Sequence, residues 1–299
     1  MIAFFPNALS PRAQAHLRTL QAEVDAATAI SREKGYKKAT DLWERRKNRQ
    51  ADKPIWAEIE NKLSDGHPRK GLCQYCEHDR TAPTEHVFSK KHYPNRAFQW
   101  INYLKICTKC NSEYKGDSFA VFNPSGSATH LDLLITRGTY PEPPSDDAVL
   151  IHPRLENPQD FMLLDLTTGK FIANFGTDDR GEAKAKYTIA LLHLNTDDLL
   201  LRHRKKAYFQ YFDKLETYSK IKLAVDVNSL LAALPTSKQV IMKQDADFVT
   251  EKTRLLNVFE NDIKDDLFPT VWAEMKAQRA FFPNLDNWFQ LNPEVLTWR

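Results

Sequence analysis

Every cysteine in the chain belongs to one of two Cys-x-x-Cys pairs: Cys73 and Cys76 in CQYCEH, and Cys107 and Cys110 in ICTKCN. A CxxC turn aims two thiolates at one centre, and a second pair completes the tetrahedral S4 set of a structural zinc site. Two other readings compete with this one. Four idle buried cysteines would have to fall into two pairs by accident, and a thioredoxin-type redox pair lacks any surrounding βαβ pattern. An S4 zinc site is closed and leaves no ligand position for chemistry. Any chemistry must therefore come from side chains between the pairs or just after them. The candidates are Glu85 and His86 in TEHVF, Asn102 in WINYLKIC, and Asn111 and Lys115 in CNSEYKG. If a helix starts at the second pair, Asn111 and Lys115 share a face. Taken singly, each has an ordinary alternative. Glu85–His86 reads as a surface pair, and the asparagines read as turn or cap residues. Tyr75, Phe98 and Trp100 fit a small core better than base stacking, and His78 and His92 are expected to face solvent.

Taken in order, these segments resemble the HNH endonuclease motif: a CxxC, an acid–His strand, an Asn before a second strand, then a CxxC followed by Asn with a Lys downstream. CQYCE, EHVFSKKHYP, WINYLKICTKCN and EYKG are similar to the HNH proteins of Septu-type and retron-associated bacterial antiphage systems. LIHPRLENPQDF, a TTGK hairpin and TIALLHLN … LLLRHR extend the likeness over residues 70–210. Ser89 stands where that family usually has Pro, and Val87 where it has Phe. The resemblance implies a ββα-metal fold and Mg²⁺- or Mn²⁺-dependent hydrolysis of nucleic acid to a 5′-phosphate and a 3′-hydroxyl. DNA is favoured over RNA. The resemblance also implies an effector role in antiphage defence and an SMC/ABC-type ATPase as partner. It makes His86 the general base, a role suited to neutral imidazole, and Asn102 the residue that pins the loop. Glu85 and Asn111 become oxygen ligands for a hard cation such as Mg²⁺. Lys115 would neutralise the phosphate, with Lys90 as a weaker candidate, and Lys90, Lys91, Arg96, Lys109 and Lys115 would contact nucleic acid. A non-catalytic zinc module that binds nucleic acid, or an adaptor, requires neither His86 nor Asn111.

The elements that must position these residues give an α+β, mostly helical chain of 299 residues, enough for one large or two smaller domains. Residues 1–65 read as a helical segment. Within it, Ser10 caps a helix with Pro11 in its first turn, and Pro54 starts another with Ile55, Ile59 and Leu63 on one face. Residues 66–122 hold the zinc-stapled core. Residues 123–180 form an irregular connection ending in a β-hairpin across Thr-Thr-Gly, and residues 181–299 are helical. The formal net charge is +3 but uneven: Ser31 to Lys53 carries nine basic and four acidic residues. Such a run suits phosphate contact or a solvated helix face. No segment reads as a leader or membrane span, so a cytoplasmic protein without membrane partners is expected. The ATPase contact is expected on the helices after Gly181, with the acidic ENDIKDD stretch. The alternative is that those helices simply complete one globular fold.

Overall fold

The computed structural model describes residues 1–67, 69–78, 83–131, 140–243 and 245–298. Residues 132–139 of the predicted irregular connection lie outside the described residues. The fold is mostly helical with three small two-stranded antiparallel or hairpin sheets among the described residues. By internal contacts it divides into two units, residues 1–163 with 171–197, and residues 164–170 with 198–299. The first unit thus takes in the first three sequence segments, apart from the hairpin tip, and the start of the fourth.

The first unit opens with α1 (Pro11–Ile30), α2 (Arg32–Glu44) and α3 (Lys53–Asp65). Ser10 caps α1 by accepting from the Ala13 N–H, with Pro11 in the first turn. Glu58 of α3 clamps that cap, accepting from the Ser10 N–H at 2.6 Å and from its hydroxyl at 2.8 Å. Ser31 ends α1 in extended backbone and caps α2, so the chain reverses within one residue. At Gly35 a Cβ would lie 2.0 Å from the Thr28 hydroxyl; only glycine lets α1 and α2 approach there. The buried face of α2 is Gly35, Ala39 and Trp43, and that of α3 is Ile55, Trp56, Ile59 and Leu63. These faces share one core with Ala97, Phe98 and Tyr103 from between the cysteine pairs.

Strand β1 (Thr84–His86) pairs antiparallel with β2 (Tyr103–Lys105), setting His86 opposite Tyr103. Lys109–Lys115 follows as one wide π-helical turn, closed where the Gly116 N–H donates to the Asn111 carbonyl at 2.6 Å. Gly116 sits at φ +49° and ψ −129°, a conformation that strains any residue with a Cβ. Strands β3 (Ala120–Phe122) and β4 (Ala128–His130) form the next hairpin. The predicted Thr-Thr-Gly hairpin is present as β5 (Met162–Leu164) and β6 (Phe171–Ala173). The Asp165 carboxylate takes up Thr167 and Thr168 in its loop, and Gly169 adopts φ +73°. Helix α4 (Asp179–Leu191), capped by Asp178, completes the unit.

The second unit comprises α5 (Asp198–Leu223), α6 (Val227–Ala233), α7 (Phe248–Lys264), α8 (Pro269–Gln278) and α9 (Pro283–Leu291). Its core includes Tyr211, Leu215, Leu255, Phe259, Trp272 and Phe289. Much of the acidic ENDIKDD stretch is already engaged: Glu260 pairs with Lys264, Asp262 with Lys238 and Asp266 with Lys214. Among the described residues no helix is long and apolar enough to cross a membrane.

Candidate active site

Cys73, Cys76, Cys107 and Cys110 are buried, and their sulfurs all lie within 4.8 Å of one another. A zinc–sulfur bond of about 2.3 Å gives tetrahedral sulfurs separated by about 3.8 Å; Cys76 and Cys107 are 3.8 Å apart. The soft donor set and its spacing could therefore hold a zinc ion. Gln74, inside the first pair, ties the centre to its surroundings. Its N–H donates to the Lys105 carbonyl at 2.8 Å. Its side chain accepts from the Lys105 N–H at 2.7 Å and donates to the Leu63 carbonyl at 2.9 Å. The pair is thereby welded to both β2 and α3.

Beside this centre is a cleft of about 250 Å³ lined by Glu85, His86, Ser89, Lys90, Asn111, Ser112, Lys115, Gly116 and Asp117. The β1–β2 pair brings Glu85 and His86 to it, and the π-helical turn brings Asn111 and Lys115. His86 is buried. Its Nε2 lies 2.8 Å from the Ala97 carbonyl, while its Nδ1 has no partner. A carbonyl only accepts, so Nε2 must carry the proton and Nδ1 presents a lone pair. Burial, with Lys90 adding to it, pushes the imidazole well below its ordinary pKa, and the ring is neutral at pH 7. The Trp43 ring of α2 lies 4.2 Å from the His86 ring, and Tyr103 meets its edge at 5.3 Å; both fix its plane.

Glu85 has its pKa raised by burial, against the opposing pull of Lys90, Arg46, Lys115 and a hydrogen bond from Asn111. Glu85 and Asn111 together offer two oxygens, a donor set that suits Mg²⁺, which keeps several waters. Burial lowers the Lys115 pKa to about 8, against the nearby Asp117 and Glu85. Lys90 is shifted down for the same reason.

No protein-family model matches this chain, and neither a curated protein nor a solved structure matches it.

The geometry sorts the remaining sequence candidates. Asn102 lies outside the cleft and is buried. Its Oδ1 accepts from the Phe88 N–H at 2.7 Å, and its Nδ2 donates to the Phe88 carbonyl at 3.1 Å and the Arg96 carbonyl at 2.9 Å. It holds the loop after β1 and does not line the cleft. Lys91 sits 3.6 Å from Asp117, Arg96 pairs with Asp146 at 2.6 Å, and Lys109 pairs with Asp197 at 2.7 Å. Hydrogen bonds to Asp197 and Tyr114 raise the Lys109 pKa above its ordinary value. Of the five lysines and arginines assigned to nucleic acid, Lys90 and Lys115 line the cleft. Tyr75 and Phe98 are core, and Trp100 packs at its edge. The expected solvent-facing His92 is instead buried, with its Nε2 3.1 Å from the Asp117 carbonyl.

Three contributions were not foreseen from sequence. Asp117 accepts from the Ser89 hydroxyl at 2.9 Å and so closes one end of the cleft. His152 and Arg154, from the HPRLEN segment, hold the turn into β2: His152 Nε2 lies 3.0 Å from the Ile101 carbonyl, and Arg154 donates to the Tyr103 carbonyl at 2.9 Å. Trp43 and Arg46 come from the N-terminal segment. The only signal for Trp43 was its place on the apolar face of α2, four residues beyond Ala39, which marks it as core and says nothing of what it covers.

Proposed function

We propose that this chain is an HNH-type, metal-dependent endonuclease of nucleic acid, with DNA as the favoured substrate. The observation that carries this reading is His86. Its tautomer is locked, its free nitrogen is an unprotonated lone pair, and it sits in a cleft with a carboxylate, an amide and two lysines beside a four-cysteine centre.

In this reading His86 Nδ1 takes a proton from water, and the resulting hydroxide oxygen attacks phosphorus. The bond from phosphorus to the 3′-oxygen breaks, leaving a 5′-phosphate and a 3′-oxygen that gains a proton from solvent. Glu85 and Asn111 would hold Mg²⁺ or Mn²⁺, which when bound polarises the phosphate and stabilises charge on the leaving oxygen. Lys115 and Lys90 offset the phosphate charge. Cys73, Cys76, Cys107 and Cys110 would hold zinc, which when bound would keep the strands and the π-helical turn in register.

Plasmid degradation with Mg²⁺ or Mn²⁺ tests the reading directly. Wild type should cleave and His86→Ala should not. Salt-dependent binding by a wild-type chain that never cleaves would favour a non-catalytic nucleic-acid-binding module instead.

A role in antiphage defence with an SMC/ABC-type ATPase belongs to the same proposal. Support for a partner surface comes from apolar side chains exposed around α6: Val225, Val227 and Leu231, with Val249 at the start of α7. Co-purification with the candidate ATPase should fail for Val225→Glu combined with Leu231→Glu. Unchanged co-purification would remove this face from the interface.

A further inference from the structure

Arg46 follows directly on α2, in the most basic stretch of the chain. Its neighbours are already engaged, Arg45 with Asp41 and Lys47 with Glu60. Arg46 is held differently. Its guanidinium lies 4.0 Å from the centre of the Trp43 ring, one nitrogen donates to the Trp43 carbonyl at 2.7 Å, and its Nε is buried without a partner. Trp43 is the residue whose ring packs, tilted, on that of His86, and the Lys90 ammonium lies 5.5 Å from the same Trp43 ring. One indole therefore gathers the candidate base, a lysine of the cleft and an arginine from outside it. The Arg46 charge acts on both Glu85 and His86.

Arg46, Lys90 and Lys115 all act on Glu85, while Asp117 also acts on Lys90 and Lys115, Glu44 on Lys90 and Glu60 on Arg46. Burial lowers the pKa of each of the three cations, and an incoming phosphate interacts more strongly with such partly desolvated cations than with solvated ones. A guanidinium held against an indole and hydrogen-bonded to its carbonyl has already lost much of its rotamer freedom, so less is lost when it takes up a phosphate. The geometry points to Arg46 as a further phosphate-binding residue beside the cleft, supplied by the N-terminal helical segment and positioned by Trp43. The inference rests on the nuclease reading for the identity of the anion, a backbone phosphate beside the scissile one.

The experiment uses the full chain carrying His86→Ala and a short DNA duplex, with affinity measured across a salt series. Adding Arg46→Gln should weaken binding and make the slope of log K against log salt shallower by about 0.9. Arg46→Lys keeps the charge and should recover most of that slope. Zinc content and circular dichroism equal to the parent show that each variant is folded. Equal affinity and slope for Arg46→Gln and its parent would overturn the assignment, as would no duplex binding by the parent. A wild-type chain that does not cleave, yet binds duplex with Arg46-dependent salt sensitivity, would remove the nuclease reading and leave the phosphate site standing.

Discussion

At the scale of single residues, the proposed chemistry rests on how burial acts on two titratable groups, His86 and Lys115. His86 is kept neutral first by burial, and then by Lys90, Lys115 and Arg46, which disfavour a second positive charge against the opposing pull of the Ala97 carbonyl. Replacing it by Ala should lower cleavage by about 10² to 10⁴ in rate, the usual worth of a positioned base, with zinc content unchanged by elemental analysis. A variant that loses zinc as well would show that the ring is structural. In the proposed nuclease, Lys115 should set the alkaline side of the pH profile. Its charged form is the one that offsets phosphate, and in the ligand-free protein that form is lost as pH rises through about 8. The ratio kcat/KM reports the free enzyme, so it should hold level below that pH and fall above it. Lys115→Arg, which stays charged, should carry the plateau to higher pH. A profile that falls at the same pH in both proteins would assign the limb to another group.

At the scale of elements, two short strands and one π-helical turn are too small to hold a site by their own hydrogen bonds. What holds them is cross-linking by side chains. Asn102 uses both its carbonyl oxygen and its amide on the loop from Phe88 to Arg96. Aspartate can accept but not donate, so Asn102→Asp should be as damaging as Asn102→Ala. Each buried group left without a partner costs about 1–3 kcal/mol. Denaturant midpoints for the two variants should fall together. An Asn102→Asp protein as stable as wild type would mean that the two amide donations contribute little. The wide turn has a comparable dependence on Gly116. A Cβ there meets no steric obstacle within 4 Å, so Gly116→Ala tests the backbone conformation alone, at a cost of about 1–3 kcal/mol.

At the scale of the whole molecule, the site is assembled from distant parts of the first unit. α1, α2 and α3 share a core with the residues between the cysteine pairs, and the four-cysteine centre, which could hold zinc, closes the other side. Zinc should be present at about one ion per chain, because ligand binding supplies folding energy to small metal domains. Cys107→Ser should release it and unfold the strands with it, as read by proteolysis. A folded, zinc-free and active Cys107→Ser chain would sink this view. Trp43 tests the opposite wall. Trp43→Ala should cost about 3–5 kcal/mol, the usual range for a large aromatic removed from a core, and should lower cleavage while leaving the cysteine centre filled.

Much was legible in sequence because it depends on local spacing. The CxxC turns, the Ser10 cap with Pro11, the face of Ile55, Ile59 and Leu63, and the Thr-Thr-Gly hairpin are each decided within a few residues. Backbone geometry at that range leaves few choices. The sequence also placed Glu85, His86, Asn111 and Lys115 together, through the order of motifs around the cysteines and not through any single residue. What it could not decide was contact between parts far apart in the chain. The indole of Trp43 over His86, Arg46 beside Glu85, and His152 and Arg154 bracing the turn into β2 join segments that no periodicity links. The same limit applies to burial. A lysine carries the same letter on a solvated face as in a cleft, and only the tertiary packing around Lys115, with water excluded from its ammonium, brings its pKa down to about 8.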